Sequence, residues 1–148
     1  MKFEITDLQN HYKIKDSKIK DAVKRVLGEE GKDAKLSIAL VDNNEIKKLN
    51  DRFLGINEVT DVIAFPLNNN EYCINGEIIV SVEKAIEVTN TSRSSIEGEI
   101  ILYILHGILH LLGYNDNNEK NAKIMHERES QILATLGYNV PKVEDEFL

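Results

Sequence analysis

The longest apolar segment of the chain runs from Ile100 to Leu112 and carries two histidines four residues apart. The segment is thirteen residues long and is interrupted by His106, Gly107 and His110, so it is too short to cross a bilayer and predicts a central buried helix. Residues four apart project from the same helical face, so His106 and His110 can point their imidazoles at one cation. The segment therefore constrains the chain to a fold in which a buried helix delivers polar ligands.

Gly113 and Asp116 extend this pattern beyond the helix. A glycine can adopt the positive φ that ends a helix, which lets the backbone turn so that Asp116 faces the same point as the histidines. Two imidazoles and one carboxylate suit zinc, at distances of about 2.0–2.2 Å, with a fourth position left for water or substrate. The sequence predicts one zinc ion per chain, bound by His106, His110 and Asp116 in a catalytic site.

A bare pair of histidines at this spacing also occurs as two hydrogen-bonded core residues. Here the glycine, the carboxylate and the apolar neighbours, among which unpaired imidazoles would be costly, favour a metal site. The stretch resembles the H-E-x-x-H-x-x-G-x-x-H/D motif of metzincin peptidases, whose glutamate is the general base. Gly107 stands where that glutamate would be, so peptide hydrolysis is disfavoured.

The same residues resemble more specifically the H-G-x-L-H-L-x-G-Y-D-H motif of the YbeY family of bacterial endoribonucleases. The resemblance extends over most of the chain, from Leu49 to Gly137. Thr60–Pro66 resembles the family's T-D-V-L-S-F-P segment and Gly76–Ser81 its G-D-I-x-I-S strand. Further matches are the Leu49-Asn50 pair, Glu99, and the M-x-x-x-E of the last helix at Met125 and Glu129.

This resemblance implies a single-strand-specific, metal-dependent endoribonuclease that acts in small-subunit ribosomal RNA 3′-end processing and ribosome quality control. The implied partners are ribosomal RNA and small-subunit assembly factors, with no membrane and no DNA. Three residues depart from the family pattern: Asp116 replaces a histidine ligand, Asn115 an aspartate, and Leu54 an arginine. Arg52, two residues upstream, could supply the contact that Leu54 cannot, so substrate handling is less well defined than metal binding.

Two other functions remain open. The first is a metzincin-like metallopeptidase, in which another carboxylate, such as Glu99, would replace the missing base. The second is a ribosome-assembly protein without catalytic activity, whose metal is structural. Neither catalytic nor substrate-binding residues are assigned by the sequence.

The pattern of apolar residues predicts an α+β domain, with a small mixed sheet of about four strands, about five helices, and the metal site at the C-terminal end of the central helix. The predicted strands lie at Phe3 to Ile5, Leu36–Val41, Val62–Phe65 and, after a turn at Asn75-Gly76, Ile78–Val80. The predicted helices are one from Ile19 to Gly31, one capped by Asp42-Asn43-Asn44 that carries Ile46, Leu49 and Phe53, one around Ala85, the histidine helix with a Ser94/Glu97 capping box, and one from Asn118 to Leu136 with Ile124, Arg128, Ile132 and Leu136 on one face.

Composition is that of an ordinary globular chain, with 148 residues, 42% hydrophobic and 29% charged. It predicts one domain over residues 1–148, with 141–148 as a mobile acidic tail. A single cysteine, Cys73, interpreted as a buried structural thiol, and an N-terminus without a signal-peptide pattern predict a cytoplasmic protein.

Charge is unusual for a protein that binds RNA, since the formal net charge is −7 and the pI is near 5.1. Basic residues are concentrated near the N-terminus and in Lys47, Lys48 and Arg52, which could line a positive groove. The acidic total predicts weak binding to free RNA, with a protein partner contributing to targeting.

The positions of three other ionisable residues in the sequence suggest what they contact. Glu99 is predicted either to hydrogen-bond a ligand histidine or take a proton during catalysis, or to be a solvated residue of the first helical turn. His126 is predicted to be a surface histidine, and His11 has no partner that the sequence identifies.

Overall fold

The architecture is an α+β domain, as predicted, with four strands and five helices in the described part of the chain. The computed structural model describes residues 1–68, 70, 72–91 and 94–139, so the predicted tail at 141–148 lies outside the described residues. The elements are β1 (Lys2–Asp7), α1 (Asp16–Glu30), β2 (Asp33–Val41), α2 (Asn43–Leu54), β3 (Val62–Pro66), β4 (Cys73–Ser81), α3 (Val82–Thr89), α4 (Ile96–Leu111) and α5 (Glu119–Thr135).

The sheet is mixed, with strand order β1-β2-β4-β3. β1 pairs with β2 and β2 with β4 in parallel, whereas β3 runs antiparallel to β4 at one edge. β-branched residues fill the centre of the sheet, where Ile38 is in register with both Ile5 and Ile78. The edge strand β3 packs against α4, so this side of the sheet borders the C-terminal half of that helix.

Helix α4 is the central buried helix that the sequence predicts. It packs on β3 and β4 and also contacts α1, α3 and α5, so Ile104, Leu105 and Ile108 are fully buried. A second, smaller apolar cluster comprises Val41, Ile46, Ile63 and Ile79. Among the described residues, no helix combines the length and apolar character needed to span a membrane.

Two local predictions were wrong. Asn75 and Gly76 lie inside β4 and do not form a turn. The glycine is needed for close packing, because a Cβ at residue 76 would lie 2.7 Å from the Phe65 carbonyl oxygen and 2.8 Å from Leu111 Cδ1. The N-cap of α4 is Ser95, whose hydroxyl accepts a hydrogen bond from the Gly98 amide at 2.9 Å. Ser94 is buried and its hydroxyl donates to Glu99, so Ser94 and Glu97 do not form a capping box.

Helix α5 has the predicted length but a different buried face. Ile124 is 47% exposed; Ile132 of the predicted face is buried, together with Met125, Glu129 and Leu133. Spacing alone does not distinguish these two neighbouring faces of the helix, because a glutamate is not expected at a buried position. Its burial is explained by the histidine that it contacts.

Candidate metal centre

The structure brings His106, His110 and Asp116 together at the end of α4. The Nε2 atoms of the two histidines lie 3.1 Å apart. Asp116 Oδ2 lies 3.8 Å from His106 Nε2 and 3.9 Å from His110 Nε2. The two histidine side chains are 21% and 34% exposed and that of Asp116 is 49% exposed, so the cluster opens to solvent on one side.

Gly113 ends α4 in the way that the sequence predicts. Its φ is 105°, and its amide donates to the His110 carbonyl at 3.0 Å while the Tyr114 amide donates to the Leu109 carbonyl at 2.9 Å. These bonds satisfy carbonyls of the last helical turn and redirect the chain. The turn returns Asp116 to the histidine face of α4 before Asn118 caps α5 through the Asn121 amide.

The three ligand atoms fit the geometry of a tetrahedral zinc ion. Zinc bonds of about 2.0–2.2 Å place pairs of tetrahedral ligands roughly 3.3–3.6 Å apart. The observed separations of 3.1, 3.8 and 3.9 Å lie just below and just above that range, so small side-chain movements would bring all three distances into it. Three protein ligands and an open side also match the catalytic class of zinc site rather than the closed structural class.

Glu129 of α5 is a carboxylate that contacts His106. Its Oε1 lies 2.5 Å from His106 Nδ1, and its side chain is only 3% exposed. A proton on Nδ1 directed at this carboxylate leaves the lone pair of Nε2 facing the cluster, which is the state that binds a metal. The family resemblance includes Glu129 but gives it no role. The sequence feature that could have indicated its burial is its position between the apolar residues Met125 and Ile132 at helical spacing.

The contact between His106 and Glu129 shifts the pKa of both residues. Burial by itself would lower the pKa of His106, but the hydrogen bond and charge of Glu129, with smaller contributions from Asp61 and Asp116, raise that pKa above its ordinary value. Burial by itself would raise the pKa of Glu129, but contacts with His106 and His126 hold it below its ordinary value. The first shift favours the imidazolium form of His106, whose Nε2 proton a metal would have to displace, and the second favours an ionised Glu129.

His126 is not the simple surface histidine that the sequence predicts. Its Nδ1 lies 3.2 Å from Glu129 Oε2, and its ring centroid is 6.4 Å from that of His106. The buried carboxylate thus contacts a histidine through each oxygen. His11, for which the sequence gave no partner, lies 3.9 Å from Glu83 through its Nε2.

Glu99 is buried, at 4% exposure, so its interpretation as a solvated residue was wrong. It accepts a hydrogen bond from the Ser94 hydroxyl. Burial, followed by the charges of Glu99 and Asp61, raises the pKa of Tyr103, one turn along α4 from Glu99. The hydrogen bond to a histidine and the proton transfer suggested for Glu99 stay predictions, and Glu129 is a carboxylate that contacts His106.

The basic residues of α2 lie on an exposed surface with aromatic character. Lys47, Lys48 and Arg52 are exposed, and the Arg52 guanidinium lies 5.4 Å from the centroid of the Phe53 ring. Phe53 is 54% exposed and stacks edge-on against Phe65 of β3, with 5.3 Å between centroids. Leu54, at the family's arginine position, is 52% exposed beside them.

Cys73, the first residue of β4, is half-buried rather than fully buried.

The chain is similar to proteins of one family over most of its length. The family model described as endoribonuclease YbeY matches residues 4–137. The endoribonuclease YbeY of Carboxydothermus hydrogenoformans is 38% identical over 138 residues, which cover 90% of this chain and 96% of that protein. That of Clostridioides difficile is 38% identical over 128 residues, covering 80% and 84% of the two chains.

A solved structure has the same fold. The solution structure of TM1509 from Thermotoga maritima superposes with a TM-score of 0.61 at 31% sequence identity, and the alignment covers 90% of this chain and 88% of the other. Residues 4–137, which the family model matches, include His106, His110 and Asp116. The chain therefore belongs to the endoribonuclease YbeY family.

Proposed function

We propose that this protein binds one zinc ion through His106, His110 and Asp116 and uses that site to cleave single-stranded RNA during maturation of the 3′ end of small-subunit ribosomal RNA. As a member of an endoribonuclease family, it is a hydrolase with an RNA substrate. The observation that carries the proposal is the convergence of two Nε2 atoms and one carboxylate oxygen, all within 4.8 Å of one another, at a solvent-accessible point.

A bound zinc ion would act as a Lewis acid, lowering the pKa of water and polarising a phosphate oxygen. The protein residues prepare the site for that chemistry. Glu129 holds His106 with Nε2 directed inward, and helix α4 fixes the spacing of His106 and His110. Asp116 contributes a negative charge, so the net charge of the site is one unit lower than that of a site built from three neutral histidines.

RNA binding must be reconciled with the acidic chain. The exposed cations of α2, with Phe53 beside Arg52, supply a local positive charge and an aromatic ring on which an unpaired base could stack. We assign phosphate contacts to Lys47, Lys48 and Arg52. Because this patch is small, we further propose that small-subunit assembly factors bring the protein to its substrate in the cytoplasm.

A metallopeptidase is less compatible with the site. A Cβ at residue 107 would lie 3.0 Å from Ile78 Cγ2, so a side chain at this position starts against β4 and within the core. The peptidase base could not be provided there without displacing the helix. Relatives of this chain are named as endoribonucleases, which also does not favour this alternative.

The test combines elemental analysis with RNA cleavage. Wild-type protein purified without a tag should contain one zinc ion per chain and cleave a single-stranded RNA in a chelator-sensitive manner. Asp116→Ala should lose both properties while keeping its circular dichroism spectrum, and Asp61→Asn, which changes a nearby carboxylate outside the ligand set, should retain the metal. Cleavage by wild-type protein that contains no metal would contradict the catalytic assignment. Equal support of ribosomal RNA maturation by a folded His110→Ala variant would favour a structural metal.

A further inference from the structure

A cluster of charged and hydroxyl groups joins the loop that carries Asp116 to two helices. The Tyr114 hydroxyl donates to Glu30 Oε1 at 2.7 Å. Arg128 Nε donates to the same Glu30 oxygen at 3.0 Å, and its Nη2 donates to Glu29 Oε2 at 3.3 Å. The cluster therefore ties the end of α1, the α4–α5 loop and the middle of α5 to one another.

Asp116 depends on such connections more than the other two ligands do. His106 and His110 are placed by the backbone of α4, and His106 is also fixed by Glu129. Asp116 lies in no helix or strand, and its side chain is half-exposed. Its position is set by the loop from Leu112 to Asn118, which has to be fixed at points other than the ligand.

The loop is fixed on both sides of Asp116. Asn121 Nδ2 donates at 2.9 Å to Oδ1 of Asn115, directly before Asp116, and at 3.1 Å to Oδ1 of Asn117, directly after it, but these groups are exposed and compete with water. On the N-terminal side, the Tyr114 bond is made to a carboxylate that Arg128 already holds, and the Glu30 and Arg128 side chains are only 23% and 22% exposed. Charge-assisted bonds in a partly buried setting are the stronger of the two kinds.

We propose that Tyr114, Glu30 and Arg128 form a positioning cluster for the third metal ligand: they hold the loop so that Asp116 meets His106 and His110. The inference rests on the proposed metal site and adds residues that do not touch the metal. Tyr114 is two residues from Asp116, so a loop that loses this anchor leaves the carboxylate to be ordered by the metal itself. Part of the binding free energy is then spent on ordering the loop.

The test measures metal affinity in variants that keep the ligands. Tyr114→Phe removes only the hydroxyl, and we expect zinc affinity, measured by competition with a chromophoric chelator, to fall about 10-fold, the lower end of the range for groups that orient ligands. The visible absorption of the cobalt-substituted protein should also change, because a displaced carboxylate alters the coordination geometry. Glu30→Gln should give a similar loss, and the double variant should lose little more, because both changes break one cluster.

Tyr138 offers a matched control. Its hydroxyl donates to Glu97 Oε2 at 2.7 Å, so Tyr138→Phe removes a tyrosine–glutamate bond of the same length. That bond lies at the N-terminal end of α4, away from the ligands. The two Phe variants should lose comparable stability to urea, and Tyr138→Phe should bind zinc as the wild type does.

The results separate this inference from the proposed function. Unchanged zinc affinity and an unchanged cobalt spectrum in folded Tyr114→Phe and Glu30→Gln would overturn the positioning role and leave the metal site intact. An equal loss in Tyr138→Phe would reduce the effect to general stability and would also overturn it. A wild-type protein that binds neither zinc nor cobalt would overturn the metal site itself.

Discussion

At the residue scale, the arrangement around His106 shows how one buried carboxylate sets a side chain for metal binding. Glu129 is almost fully buried, and an unpaired carboxylate in that position would be strongly disfavoured. Its two oxygens are paired with His106 and His126, so its burial is compensated by contacts that also fix the orientation of a ligand. The residue stabilises the site and would destabilise the core if either partner were removed.

Glu129→Gln should therefore weaken zinc binding about 10- to 100-fold, because an amide of the same shape attracts the Nδ1 proton of His106 less than a carboxylate does. Affinity is measured by competition with a chelator. Glu127→Gln, which makes the same change on the exposed side of α5, is the control and should leave affinity unchanged. Equal affinities in the two variants would show that Glu129 does not orient the ligand.

At the element scale, the close packing of α4 on β4 determines where the histidines emerge. Gly107 lies between the two ligands on the side of the helix that faces Ile78, which is fully buried. The absence of a side chain lets the helix approach the strand closely, and His106 and His110 project from the adjacent face of the helix. A bulkier residue would move both ligands with the helix.

Gly107→Ala should destabilise the protein by about 1 kcal/mol, because the overpacking cost of roughly 1–3 kcal/mol exceeds the gain in helix propensity of about 1 kcal/mol. Its Cβ would meet Ile78 Cγ2 at 3.0 Å and Cγ1 at 3.3 Å. Urea unfolding monitored by circular dichroism gives the free energy of unfolding.

Gly28→Ala in α1 is the matched control for that change. No heavy atom lies within 4 Å of the Cβ that it would add, so it should stabilise the protein by up to about 1 kcal/mol through helix propensity alone. If Gly107→Ala were also stabilising, the contact between α4 and β4 would be looser than its geometry indicates.

At the scale of the whole molecule, the proposed metal site connects separate elements of the chain. Its candidate ligands lie on α4 and the following loop, and His106 is connected through Glu129 to α5. A ligand that binds only the folded state stabilises it by an amount set by its concentration relative to Kd.

Removal of zinc by a chelator should lower the melting temperature by roughly 10 °C when the metal-loaded sample contains free zinc at about 1,000 times Kd, since this contributes about 4 kcal/mol. Differential scanning calorimetry measures the change. His110→Ala should melt at the same temperature with and without zinc. A wild-type melting temperature that does not respond to zinc would contradict a site shared by these segments.

The charge distribution predicts how the molecule as a whole meets RNA. With a net charge of −7, the molecule as a whole repels phosphate, and we expect the α2 cations to supply a local attraction. Arg52→Gln should weaken binding of a single-stranded oligonucleotide and reduce the slope of log K against log salt by about 0.7, as expected for the loss of one phosphate contact. Fluorescence anisotropy at several salt concentrations measures both. Arg25→Gln, on α1, should change neither, and equal effects of the two substitutions would mean that binding responds only to total charge.

The sequence by itself determined the α+β class, the order of the elements and the grouping of His106, His110 and Asp116, because apolar periodicity, helix caps and the spacing of these residues are local properties. Gly113 was predictable for the same reason, since ending a helix requires a particular backbone conformation at one residue. Only the tertiary structure decided that Gly76 belongs to a strand, that Glu129 contacts His106, and that Glu30 accepts a hydrogen bond from the loop of Asp116. The contacts of Glu129 and Glu30 join residues that are 23 and 84 positions apart in sequence, and such contacts leave no periodic pattern in the chain.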